Sequence, residues 1–248
     1  MQVNTPLRRR ALFAALYFSE GAPIGFIWWA LPTRLRAAGV TVEEITALTA
    51  TLTLPWALKF LWSPAVDALQ NRWWTLRQTI IAAQLLMIAS LVPLIGVDPA
   101  AHFDWLRNLL LLHAFAAATQ DVAIDAWCVR MTPAEEHGRI NGWMQAGMLV
   151  GRSLLGGGAL YIASRIGETN VVLLLCLAIA SSLVLLLSVR APEQGFAADE
   201  SRPRHPLLTA LRMVARSPST WMGLAYALTA GAAFEALGAV HGPLLDRK

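Results

Sequence analysis

A succession of apolar runs, each near the length that crosses a bilayer, limits this chain more than any other feature. The runs lie at about 11–31, 45–62, 76–97, 106–130, 139–163 and 170–189. About 20 apolar residues in a helix match a hydrocarbon core roughly 30 Å thick. Inside lipid every backbone N–H and C=O must be satisfied internally, so such runs fold as helices. Only 15% of the 248 residues are charged, against about 25% in soluble domains. The expected fold is therefore an all-α integral membrane bundle of six spans, followed by the start of a seventh near Trp221. Residues 1–190 would form the six-span unit, 191–217 a polar cytoplasmic linker, and 218–248 the beginning of a second unit.

The distribution of basic residues sets the expected orientation. With the amino terminus cytoplasmic, the inner segments hold Arg8, Arg9, Arg10, Arg72, Arg77, Arg130, Arg139, Arg190, Arg202, Arg204, Arg212 and Arg216, and the outer ones only Arg34, Arg36, Arg107 and Arg165. That asymmetry follows the positive-inside rule. It also explains the pI near 9.6 without a nucleic-acid partner. Cys128 and Cys176 both fall in apolar runs and read as small buried residues. No metal-ligand spacing is present, and no cofactor is implied. Arg8 to Arg10 before an apolar stretch imitates a secretory signal, but the run continues past Glu20 without a small-residue cleavage site.

Ionisable residues inside spans carry the functional information. One charged side chain at the bilayer centre costs about 2.5–3.5 kcal/mol on insertion scales. Spans one to five hold Glu20, Lys59, Asp121, Asp125 and Arg152. Asp121 and Asp125 are four apart, so they share one helix face. Glu20 and Asp121 each lie nine residues from the inner end of their span, ~13 Å deep at 1.5 Å per residue. Both belong near the midplane, where two neighbouring carboxylates suit proton uptake and release. Lys59 and Asp125 lie closer to the inner surface, which suggests that they neutralise each other. Two plainer readings stay open: Lys59 can snorkel to that surface, and Asp125 can pair with Arg72 or Arg130 at its edge. Arg152 lies ~20 Å in, facing a substrate or an acid. The substrate and proton pathway is thus assigned to Glu20, Gln120, Asp121, Gln145 and Arg152. Lys59, Asp67, Arg72, Asp125 and Arg130 form a charge network or gate. Asp121 is the residue expected to carry the transport chemistry.

Glycines in the fifth run point to helix contact: Gly147 and Gly151 form a small-xxx-small pair that lets another helix approach closely. Thr132-Pro133 with Glu135 reads as the start of that helix. The sixth run is plain Leu, Val, Ala and Ser.

Six spans, a linker and a new span resemble the arrangement of the major facilitator superfamily, whose two six-span halves are joined that way. Asp67 and Arg72 resemble its loop motif between spans two and three, although Ser63-Pro64 replaces the usual glycine. The stretches Phe18-Ser19-Glu20-Gly21-Ala22-Pro23, Lys59-Phe60-Leu61-Trp62-Ser63-Pro64-Ala65-Val66-Asp67 and Gln120-Asp121-Val122-Ala123-Ile124-Asp125-Ala126-Trp127, with the segment from Arg152 to Gly157, look like the AmpG-type muropeptide permeases. That wider family also includes acetyl-CoA transporters. The resemblance implies a multi-pass inner-membrane secondary transporter that imports sugar–peptide cell-wall fragments with protons by alternating access. Within the same class the alternative substrate is acetyl-CoA or another organic anion, held by Arg152 and Lys59. A sugar–peptide would instead use Gln120, Asn141, Gln145 and the tryptophans. The family has a second half that this sequence lacks, apart from a seventh run carrying Glu235. A truncated, non-transporting protein or scaffold is therefore the third reading, and transport would need a carboxy-terminal half in cis or in trans. An intramembrane hydrolase is disfavoured: both aspartates sit on one helix, and no Ser–His or His-x-x-x-His pair occurs at useful spacing.

Overall fold

The computed structural model describes residues 5–70 and 73–189 and, beyond them, 216–219, 221, 222, 225 and 229. The chain divides into two units, Met1–Phe196 and Ala197–Lys248. In the second unit the described backbone is helical at Trp221, Met222, Ala225 and Thr229. The Thr229 hydroxyl donates to the Ala225 carbonyl at 2.9 Å. Linker residues 191–215, Glu235 and Arg72 lie outside the described residues.

Every regular element described in the first unit is helical: α1 (Pro6–Gly25), α2 (Leu31–Ala37), α3 (Val42–Leu58), α4 (Ser63–Ala68), α5 (Leu76–Leu91), α6 (Phe103–Met131), α7 (His137–Leu155), α8 (Gly157–Ile166) and α9 (Glu168–Ser188). Five helical stretches among the described residues are long and apolar enough to cross a membrane: Pro6–Ala37, Leu76–Leu94, Phe103–Met131, Ala134–Arg165 and Thr169–Ser188. The second run becomes α3, 17 residues long and continued by a 3₁₀ turn at Lys59–Leu61. It is not among those five.

Local chemistry sets the boundaries. Thr41 and Glu44 form a capping box at the start of α3, and Thr75 and Gln78 form one at the start of α5. Each satisfies two backbone N–H groups that the helix leaves without partners. The expected helix start at Thr132 is displaced. Pro133 is extended at φ −57°, ψ 145°, a 3₁₀ turn follows at Ala134–Glu136, and α7 begins only at His137. The first span continues through Pro23, then widens into a π-turn at Phe26–Ala30 before α2. Pro32, just past that turn, lacks the N–H that would bond the Trp28 carbonyl and crowds the preceding turn, so a local irregularity arises there. The fifth run is two helices rather than one, broken at Gly156 with φ −95°, ψ −92°. The turn into α9 needs Gly167, whose φ of +86° disfavours any residue with a Cβ.

α1 packs most extensively on α7, and the glycines explain how. A Cβ on Gly21 would strike the Met148 backbone, one on Gly25 the Arg152 backbone, one on Gly147 the Ala14 backbone and one on Gly151 the Phe18 carbonyl. Four glycines, two from each helix, thus bring backbone against backbone. α5 packs on α6, and α9 covers both α1 and α5.

The apolar interior is split in two. One cluster includes Ala22, Phe26, Met87, Ala117, Leu155 and Ile179. The other includes Leu16, Tyr17, Ile80, Ala123, Met148 and Leu186. On α1, α5, α6 and α9 the residues between the clusters are polar and buried: Ser19, Glu20, Gln84, Gln120, Asp121 and Ser182. On α7 the same interval, between Met148 and Leu155, holds Arg152. A polar layer therefore crosses the middle of the bundle on five helices.

Candidate functional site

The site is built where that layer meets the end of α3. Pro55 lies within α3, and the backbone tightens into the 3₁₀ turn that carries Lys59. The Lys59 ammonium pairs there with Asp121 Oδ2 on α6. One turn along α6, Asp125 lies on the same face. Between the two acids α1 inserts Tyr17, which is 4% exposed. Its hydroxyl stands 2.5 Å from Asp125 Oδ1 and 3.2 Å from Asp121 Oδ1. A phenol has one proton to donate, and the shorter distance gives it to Asp125. Asp121 is thus held between an ammonium and a phenol oxygen, and a proton moving among Asp121, Tyr17 and Asp125 has a continuous path.

The structure changes the expected pairing. Lys59 neutralises Asp121, the deeper acid, rather than Asp125. Its side chain crosses toward the polar layer instead of snorkelling away. Asp125 is not held by Arg130, which reaches Asp67 at 3.4 Å and the Gln70 amide oxygen instead. Gln70 Nε2 in turn donates to Asp67 Oδ1 at 3.0 Å. The Arg130 and Asp67 side chains are 39% and 62% exposed, so this pair stabilises the fold by under ~1 kcal/mol. Its value is to link α4 to the end of α6.

Glu20 is 1% exposed, and neither carboxyl oxygen has a hydrogen-bond partner among the described residues. It lies within electrostatic reach of Asp121, Lys59 and Arg152, and the Trp56 indole stands beside it. Arg152 is half-buried and its Nε is unpartnered among the described residues. Gln120 is fully buried with both amide atoms in the same condition. Gln145 is exposed on α7, away from the described hydrogen-bond network. Glu20, Lys59, Asp121, Asp125 and Arg152 are therefore brought together; Gln145 and the Arg130–Asp67 pair stand apart from them.

Several participants escaped the sequence. Tyr17 is one; a tyrosine in an apolar run reads as core until its partner helix is placed. Gln84 is another: its Nε2 donates to Ser182 Oγ at 2.8 Å, tying α5 to α9. His113 meets Ser90 Oγ at 3.2 Å and the Met87 carbonyl at 3.3 Å. Arg9 pairs with Glu136 at 3.1 Å, joining the start of α1 to the turn before α7. Arg77 donates to the Leu186 and Leu187 carbonyls at 3.0 and 3.2 Å, covering the end of α9.

A cavity of about 380 Å³ opens elsewhere, among Phe26, Leu31, Arg34, Asp98, Leu106 and Thr169. None of the assigned residues lines it. Among the described residues no group of three or more His, Cys, Asp or Glu side chains is arranged to hold a metal ion.

Comparison with known proteins agrees with this architecture. The profile described as Major Facilitator Superfamily matches residues 13–246. Similar proteins include the anhydromuropeptide permease of Escherichia coli (strain K12), 30% identical over 162 residues that make up 63% of this chain and 32% of the relative. An uncharacterized protein of Haemophilus influenzae is 32% identical over 168 residues, 63% of this chain and 37% of that protein. The putative transporter AmpG 4 of Rickettsia felis is 26% identical over 177 residues, 68% of this chain and 42% of that protein. The chain thus spans well under half the length of the curated relatives it matches. These relatives support the AmpG-type resemblance. Its helices are those of a multi-pass membrane protein, and the chain belongs to the Major Facilitator Superfamily.

Proposed function

We propose that this chain is the amino-terminal part of a proton-coupled secondary transporter that imports anhydro-muramyl sugar–peptides across the inner membrane by alternating access. Residues 1–190 would be the six-span half, 191–217 the cytoplasmic linker, and 218–248 the entry into the second half, supplied in cis or in trans. The arginine asymmetry supports an amino terminus in the cytoplasm. The observation that carries this reading is the Lys59–Asp121–Tyr17–Asp125 cluster. Three helices converge on it, and two of its members are carboxylates sharing one phenol. Such a cluster can gain or lose a proton while its geometry persists, which is what coupling requires. The anhydromuropeptide permease among the relatives supports that choice of substrate.

In this reading Asp121 carries the coupling proton and Lys59 holds the acid in place when it is ionised. Tyr17 links it to Asp125. Glu20, Arg152 and Gln120 supply the polar wall that meets the substrate. The test is uptake of labelled anhydro-muropeptide by proteoliposomes containing this chain co-expressed with a carboxy-terminal half. An imposed pH gradient should drive uptake, and Asp121→Asn should abolish it. Uptake at an unchanged rate in Asp121→Asn removes that carboxylate from the mechanism. Uptake that ignores the gradient removes proton coupling.

A further inference from the structure

The polar layer contains a group that the Lys59 cluster does not use. Glu20 is almost fully buried, with both carboxyl oxygens lacking hydrogen-bond partners among the described residues. The Trp56 indole N–H is directed at this carboxyl without closing a bond of ordinary geometry, and a carboxyl with two oxygens accepts more than one bond, so room remains for a further donor. Its neighbours indicate what that is. Tyr17, Glu20 and Ile24 recur at i, i+3 and i+7, one face of α1, and Trp28 follows in the π-turn that continues it. Beside Glu20 stands the Trp56 indole of α3. Trp56 meets Trp28 edge to face, with ring centroids 5.9 Å apart and planes at 89°. Both tryptophans are half-buried, so part of each ring remains uncovered. Across α1, the Arg152 backbone packs at the level of Gly25, between Glu20 and Trp28, and its half-buried guanidinium lies within electrostatic reach of Glu20.

We propose that Glu20, Trp28, Trp56 and Arg152 form the subsite for the sugar rings of the transported ligand. The inference rests on the muropeptide reading above and deepens it. A pyranose has an apolar C–H face and a rim of hydroxyl and acetamido groups. The indoles offer faces for the first. The Glu20 carboxyl accepts from hydroxyl or amide N–H on the rim, and Arg152 donates to its oxygens. Glu20 and Trp28 are eight residues apart, ~12 Å along the helix, which suits two linked rings.

The experiment uses the chain co-purified with a carboxy-terminal half, as above, in lipid nanodiscs with three probes: intact anhydro-muropeptide, its disaccharide without peptide, and the free stem peptide. Equilibrium dialysis should show the disaccharide competing with the muropeptide. Trp56→Leu and Glu20→Gln should each weaken disaccharide and muropeptide binding at least tenfold and leave stem-peptide binding unchanged. Trp56→Phe, which keeps an aromatic face, should restore most of the loss. It also separates recognition from misfolding, as does Trp105→Leu at an exposed position, which should change nothing. Muropeptide binding equal in wild type and Trp56→Leu, or a disaccharide that does not compete, overturns the subsite alone. Wild-type protein that binds none of the three probes overturns the muropeptide reading and the subsite with it.

Discussion

Lys59 and Asp121 are unequally buried, and that inequality makes a quantitative prediction. The Asp121 side chain is 8% exposed and the Lys59 side chain 36%. Removing one member of a fully buried pair costs about 3–5 kcal/mol, because the survivor keeps an uncompensated charge. An exposed pair is worth about 0.2–1 kcal/mol. In Lys59→Met the survivor is the buried acid, next to Asp125 and beside a Tyr17 hydroxyl whose proton is already given to Asp125, so the loss should be about 2–3 kcal/mol. In Asp121→Asn the survivor is a long, partly exposed ammonium that can swing toward water, and the loss should be near 1 kcal/mol. The double variant does not strand either partner of the pair and should stay within about 1 kcal/mol of wild type, for a coupling of at least about 2 kcal/mol. The assay is reversible denaturant unfolding of the four proteins in the same micelle, followed by circular dichroism. Equal losses in the two single variants would refute the argument from burial. A double variant whose loss is the sum of the singles would show that the pair does not interact.

The α1–α7 contact gives a contrast between two glycines of one helix. Gly147→Leu forces a side chain onto the Ala14 backbone and should destabilise by about 3 kcal/mol or more. Gly142→Ala meets nothing within 4 Å and should stabilise by up to about 1 kcal/mol, as alanine generally does in a helix interior; both are read by the same unfolding assay. At the start of α3, Thr41→Ala should cost about 1 kcal/mol by removing the capping box. Thr41 also holds the Glu44 carboxyl below the usual carboxylate range. Its support is therefore present at neutral pH and lost as pH falls through that lowered value. Thermal unfolding near pH 3 should show a smaller penalty for Thr41→Ala than at neutral pH.

Much of the bundle could be read from the chain because its causes are local. Apolar runs of membrane-spanning length marked the spans. The glycines at 147 and 151 marked a close helix contact, and the contact exists. Capping boxes at Thr41–Glu44 and Thr75–Gln78 were equally legible as Thr-x-x-Glu and Thr-x-x-Gln patterns, although no expectation was placed on them. The start of α7 was misjudged because an extended proline needs only its own backbone angles to defeat an N-cap pattern. The break at Gly156 was missed because hydropathy runs through it without interruption.

Counting residues along a helix measures depth, since rise per residue is constant. It placed Glu20 and Asp121 at one level, and the polar layer crosses the bundle there. Depth says nothing about rotation, which is set by packing between helices. Only the tertiary arrangement decided that Lys59 turns to Asp121 instead of Asp125. It also decided that Tyr17 enters between the two acids, and that Arg130 turns away to Asp67 and Gln70. The sequence by itself determined which helices exist and at what level their charges lie, because hydropathy and helical rise belong to each segment alone. Which charge faces which was left to the glycine-lined approach of α1 to α7 and to the turn at the end of α3, since a side chain finds its partner only after another helix has been packed against it.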